Sequence, residues 1–226
     1  MQESTEAITR VSSIQISQSH GLLKEGARKA FHSLVLSLPI GYHVLKVPLE
    51  VVILVFLLIL TLFIPIEIIR LKFPGFFLNR VVRKSEEDKI ANYVPTTMVW
   101  CGLTIGAYWG FYPFEYAEAA IIATVIGDAA AALAGKSFGT RRLVFTERKT
   151  VEGAVVGFLV TWIISSSFLA FTEINFAPFL GLGIALVFLL TDLRENPPTD
   201  LLCDNILNPI LGTMIATLLA EALMML

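Results

Sequence analysis

Lys149-Thr150-Val151-Glu152-Gly153 brings an ammonium, a hydroxyl and a carboxylate to the point where a short basic loop gives way to an apolar run. Backbone N–H groups at a helix start, with a lysine and a hydroxyl beside them, favour an anion, so phosphate suits this place. Upstream, Asp128 interrupts a run of small and apolar residues from 121 to 135. An ionisable group well inside an apolar helix is expensive to bury and is by default functional. Asp128 and Lys136 are eight positions apart, which on a helix is about 80° of rotation and about 12 Å of rise, so they share related faces at different depths. The alanines at 129–132 and 134, with Gly135, let a neighbouring helix or a ligand approach the backbone. A carboxylate near phosphate also suits Mg²⁺, which takes few protein ligands and several phosphate oxygens.

The elements that must position these groups are apolar. The chain has 226 residues, 55% hydrophobic and 16% charged, with a mean hydropathy of +0.73, which exceeds what an ordinary soluble domain carries. An all-α integral membrane protein is expected. Apolar stretches at 33–45, 47–69, 93–112, 115–135, 153–171, 177–191 and 205–226 make a bundle of about seven transmembrane helices. Residues 1–21 read as a polar N-terminal arm and 22–226 as a single transmembrane catalytic domain. The start, MQESTEAITR, lacks the basic and apolar regions of a cleaved signal.

With the N-terminus in the cytosol, all 17 lysines and arginines except Lys46 fall on the inner side, as the positive-inside rule asks. The same arithmetic puts Arg28, Lys29 and His32, Glu67 and Arg70, Asp128 and Lys136, Lys149 and Glu152, and Asp204 and Asn205 toward that side. The net charge of −2 says nothing about nucleic acid, and no nucleic-acid partner is expected. Cys101 and Cys203 suggest neither a disulfide framework nor a zinc site.

Each group also has a plainer role open to it. Asp128 can be a hydrogen-bonding group of the bundle, the basic loop 136–149 a topology signal or a surface for anionic lipid, His32 a packing residue, and Asp204-Asn205 a cap on the last helix. Gly135-Lys136-Ser137 is not the end of a phosphate-binding P-loop, because Ala130 stands at the first glycine position and the segment closes an apolar helix.

GDAAAALAGKSFG (127–139) followed by KTVEG (149–153) resembles the signature shared by CTP-using membrane lipid enzymes. It is most similar to the CTP-dependent lipid-alcohol kinases: dolichol kinase, phytol kinase and CTP-dependent diacylglycerol kinase. RKAFH (28–32) is similar to their amino-terminal R-K-x-x-H element, EIIR (67–70) with Glu86 and Glu87 to their next acidic and basic positions, and DNILNPILG (204–212) to their closing D-N-x-x-x-P motif. One departure is Cys203, where a second aspartate often precedes that motif; Asp200 is the substitute at hand. The related phosphatidate cytidylyltransferases carry serine where this chain has Gly127, and a late run of paired basic and acidic residues where it has TDLRENPPTDLLCDN (191–205).

The resemblance implies transfer of the γ-phosphate of CTP to the hydroxyl of a membrane lipid alcohol, with Mg²⁺, at the cytosolic face of the endoplasmic reticulum or plasma membrane. On that reading Asp128, Lys149 and Glu152 are catalytic. Asp128 holds Mg²⁺ or orients the hydroxyl, and Glu152 is a second metal-side carboxylate. Lys136, Lys149, Thr150 and Gly153 bind phosphate, while Arg28 and Lys29 neutralise the leaving diphosphate. His32, Glu67, Arg70, Asp204 and Asn205 complete the rim. The alternatives are a CDP-lipid-forming cytidylyltransferase and, in a different class, a non-enzymatic protein that binds or transports lipid headgroups. Which alcohol is used, and the oligomeric state, are not encoded in any motif.

Overall fold

Proline and glycine punctuate the apolar runs, and the helices form between them. In a computed structural model the described residues are 37–80, 89–143, 149–194 and 203–225. They contain seven α-helices: α1 (Ser37–Leu45), α2 (Leu49–Lys72), α3 (Tyr93–Tyr108), α4 (Phe114–Phe138), α5 (Val151–Phe171), α6 (Ala177–Asp192) and α7 (Asp204–Met224), with a 3₁₀ turn at Phe77–Arg80. Pro48 and Pro113 stand immediately before α2 and α4, and Pro178 lies in the first turn of α6; a missing N–H costs nothing there. Pro65 and Pro209 lie inside α2 and α7, which continue through them.

Four helices, α2, α4, α5 and α7, are long and apolar enough to cross a membrane. The described chain is all-helical with four candidate membrane spans, consistent with a helical membrane protein. The 16 residues of α3 and of α6 span about 24 Å at 1.5 Å per residue, and α1 is shorter still, so length alone gives four crossings where the sequence pattern suggests about seven.

α4, α5, α6 and α7 close a ring in which each packs on its neighbour in sequence and α7 returns to α4; α2 pairs with α3, and α3 joins the ring at α4 and α7. The start of α5, the end of α6 and the start of α7 lie at one end of the ring, so these three helices alternate in direction. The apolar core fills one half of the ring, around Tyr116, Ala120, Leu169, Leu180, Ile184 and Ala216. Large apolar side chains such as Leu58, Leu62, Ile163, Leu190 and Leu218 point outward and are exposed, the surface expected of a protein that meets lipid.

Small residues bring α4 and α5 into backbone contact. A Cβ on Gly153 would stand 2.8 Å from the Ala131 carbonyl oxygen, and one on Gly157 2.8 Å from Ala131 Cβ. Hydroxyls inside the helices are satisfied locally: Thr97, Thr104, Thr124, Thr213 and Thr217 each donate to the carbonyl four residues earlier, the usual way a hydroxyl is accommodated in an apolar helix. Ser165 Oγ reaches across to the Gly181 carbonyl at 3.3 Å and ties α5 to α6.

Candidate functional site

The loop from α4 to α5 is folded back on itself. Leu143 N donates to Lys149 O at 3.0 Å and Val151 N to Arg141 O at 2.8 Å, forming an antiparallel bridge between Arg142 and Thr150. Thr150 then caps α5, its Oγ1 accepting from Gly153 N at 3.2 Å, a stabilising arrangement at a helix start. The hydroxyl sits in a nest of glycines: a Cβ on Gly135 would be 2.9 Å from Thr150 Oγ1, and one on Gly139 2.6 Å. This explains the glycine spacing around G-K-S-F-G and K-T-V-E-G. The glycines let Thr150 enter between two helices.

The sequence pattern suggested free amides at the start of α5. They are occupied. Val151 N is taken by Arg141 O, Gly153 N by Thr150 Oγ1 and Ala154 N by Thr150 O. Glu152 is likewise engaged: its Oε1 accepts from Thr140 Oγ1 at 2.6 Å and from Arg141 N at 3.1 Å, and Oε2 accepts from Arg141 N at 3.3 Å. Its carboxylate therefore fastens the loop to α5, away from the metal-side position that the motif suggested.

Lys149 points the other way, into the ring. Its Nζ donates to Asp192 Oδ1 at 3.0 Å, to the Asp192 carbonyl at 2.8 Å and to Asp204 Oδ2 at 3.0 Å. One ammonium thus joins the start of α5, the end of α6 and the start of α7. Burial pulls the lysine toward its neutral form, but Asp192 and Asp204 outweigh it and hold the ammonium above its ordinary value. One turn into α7, buried Asn208 accepts from the Thr191 hydroxyl next to Asp192. Asp204 does not cap α7, whose cap residue is Cys203. Cys203 is buried, and burial pushes its thiol up, so it is a neutral group in the place of an aspartate.

Asp128 is half-buried in α4. It lies seven residues before Gly135, which packs against Thr150 and Gly153; seven residues return a helix to nearly the same face about 10 Å along its axis. Asp128 is thus on the α5-facing side, deeper in the bundle than Thr150. Lys136 is exposed in the last turn of α4, and Asn205 is half-buried in the first turn of α7. Arg28, Lys29, His32, Glu86, Glu87 and Asp200 lie outside the described residues.

Glu67 and Arg70 make a clasp of their own. Arg70 Nε donates to Glu67 Oε2 at 2.8 Å and its Nη2 to Oε1 at 2.6 Å. Nη1 reaches Asn79 Oδ1 at 3.0 Å, and Ala91 N donates to Glu67 Oε1 at 2.6 Å. Tyr93 also donates to Glu67. Both side chains are buried, and the pair fixes the end of α2 to the start of α3. Asn79, Ala91 and Tyr93 belong to the α2–α3 connection, which the pair reinforces.

Asp192 was missed by motif. Its signal was topological: it closes an apolar run at the end of the bundle that also holds Lys149 and Asp204. Among the described residues no group of three or more histidine, cysteine, aspartate or glutamate side chains is arranged to hold a metal ion. Two carboxylates converge, however, and Mg²⁺ commonly takes one or two along with phosphate oxygens, so Asp192 and Asp204 fit that modest requirement and Glu152 does not. No protein-family model matches the chain, and no curated protein or solved structure matches it.

Proposed function

We propose that the chain is a CTP-dependent kinase that phosphorylates the hydroxyl of a membrane lipid alcohol, with its site at the cytosolic end of a bundle of about seven crossings and its N-terminus in the cytosol. The observation that carries this reading is the 3.0 Å contact between Lys149 and Asp204: the K-T-V-E-G segment and the closing D-N-x-x-x-P segment, which resemble two motifs of the same kinase family, meet at one ammonium. Orientation is supported by Lys72, Lys89, Lys136, Arg141, Arg142 and Arg194, which all flank the helix ends on that side, while Lys46 lies at the other.

In the reaction the lipid oxygen attacks the γ-phosphorus, a new P–O bond forms, the bond to the β-phosphate bridging oxygen breaks, and CDP departs with that electron pair. Positioning and charge neutralisation supply most of the catalysis of such a transfer. Asp192 and Asp204 would hold Mg²⁺, which neutralises phosphate charge when bound. Lys149 keeps those two carboxylates together and presents positive charge to the nucleotide. Asp128, deeper toward the lipid, orients the hydroxyl and accepts its proton. Lys136 and the arginines of the α4–α5 loop attract the triphosphate from solution.

The test is incubation of the purified protein in bilayers with Mg²⁺, γ-labelled or α-labelled CTP, and a panel of long-chain prenols, phytol and diacylglycerol. γ-label in lipid is the expected result. α-label would assign a cytidylyltransferase, and no label from either across the panel would favour a headgroup-binding or transport protein.

A further inference from the structure

A second ionisable pair lies at the opposite end of the ring. Glu118, in the second turn of α4, is fully buried at 0% exposure. Its Oε2 is 2.5 Å from His43 Nε2 on α1, and among the described residues its buried Oε1 has no hydrogen-bond partner. His43 meets Phe168 of α5 edge-on at 5.5 Å, and its neighbour Tyr42 meets Phe114 of α4 edge-on at 5.0 Å. Through these two residues the short α1 is seated on α4 and α5.

The unpartnered oxygen identifies the protonation state that fits. An ionised Glu118 would leave a charged oxygen without a donor in an apolar interior, which is costly. The neutral acid has one O–H to place, and His43 Nε2 accepts it. Nearby charge acts in the same direction. Glu50 stands in the first turn of α2 and Glu115 in the first turn of α4, three residues before Glu118. Among the described residues Tyr42 is the ionisable group in ring contact with His43; α5 presents the uncharged Phe168, and Lys46 beyond α1 is exposed. A further negative charge beside Glu115 and Glu50 is disfavoured, so the proton is retained.

We propose that Glu118 and His43 form a buried site for one proton, and that α1 stays seated on α4 and α5 only while that proton is held. Loss of the proton leaves a carboxylate with one bare oxygen inside the bundle, and α1 lifts to admit water to it. The site is separate from the Lys149 cluster and does not rest on the nucleotide reading.

Dicyclohexylcarbodiimide is an apolar reagent that seeks protonated carboxyl groups away from water. The acid O–H adds across one C=N bond, and the acyl group then shifts from oxygen to nitrogen to leave a stable N-acylurea. Peptide mass spectrometry of the full chain in bilayers should find this adduct on Glu118, decreasing as pH rises, with exposed Glu50 as the comparison. Hydrogen exchange of the α1 amides gives the second readout, taken as the ratio of wild type to Glu118→Gln at matched pH. Glutamine keeps a donor toward His43 and cannot ionise, so α1 should stay seated in it. The ratio should climb on the alkaline side by up to about tenfold per pH unit, the limit for release of one proton. His43→Phe, which keeps an aromatic ring, should retain the Glu118 adduct while α1 exchanges faster at every pH. A ratio that does not change with pH, or the absence of any Glu118 adduct, overturns the proposal.

Discussion

Lys149 Nζ lies 3.0 Å from Asp204 Oδ2 across 55 positions of sequence, and the same nitrogen is 3.0 Å from Asp192 Oδ1. Three helix ends that share no sequence continuity are held by one cation. Stability and chemistry therefore meet at this atom, and substitutions there should move both.

Lys149→Met should leave two partly buried carboxylates facing each other without a cation. Breaking a fully buried pair costs about 3–5 kcal/mol. Here the lysine side chain is 28% exposed and those of Asp192 and Asp204 11% and 25%, so solvent screening reduces the expected loss to about 1–3 kcal/mol. Denaturant unfolding in detergent, followed by circular dichroism, measures it. Adding Asp192→Asn should recover part of the loss, because it removes one of the two facing charges. Lipid phosphorylation should fall at least about a hundredfold in either variant if charge positioning carries the reaction.

The pH dependence of this clamp has a definite sign. The folded protein holds the Lys149 proton above the ordinary lysine value of 10.5. The ammonium's contribution is whole below that value and is lost as pH rises through the higher folded value. Unfolding midpoints of wild type and Lys149→Met should therefore differ most at neutral pH and converge only in strong alkali. Convergence near neutrality would show that the ammonium is not what holds the three ends.

Gly153→Ala and Gly102→Ala should act in opposite directions although both place a methyl group in a helix. At Gly153 the new Cβ would meet the Ala131 carbonyl oxygen at 2.8 Å, whereas at Gly102 nothing lies within 4 Å. Forcing α4 and α5 apart should cost about 1–3 kcal/mol. The Gly102 change should gain up to about 1 kcal/mol from better helix propensity. Thermal melts in one detergent compare the two directly.

Arg70→Lys should destabilise the α2–α3 connection despite keeping the charge. An ammonium cannot reproduce the paired donation to Glu67 together with the bond to Asn79. A loss of about 2–4 kcal/mol is expected for this buried network, read as earlier proteolysis between α2 and α3. An unchanged cleavage pattern would mean the clasp is not what fixes that turn.

The helices were legible because apolar runs are long and their punctuation is local. Pro48, Pro113 and Thr150 mark starts within a few residues of the observed ones. The meeting of Lys149 with Asp204 was legible too, since alternating direction sends both to one end. What pattern could not show is which oxygen faces which nitrogen. Glu152 follows Lys149 by three positions and was expected on the metal side of the same site. The turn at Arg141 and Arg142 instead draws Glu152 toward Thr140 while Lys149 crosses the ring to Asp192. Glu118 was hidden for a related reason: a carboxylate four residues into a span looks like a group near the water, whereas it is fully buried and meets His43 on α1.

The alanine and glycine contact between α4 and α5 has a mechanical outcome. Two helices touching backbone to backbone have no soft layer of side chains to deform, so they travel as one rigid rod. Gly181 brings α6 equally close to the backbone of α5 at Ser166, so what separates least easily at the other end is the grip of Lys149 on two aspartates. On the phosphate-transfer reading proposed above, an anionic guest that competes for that ammonium would loosen the latch as it entered.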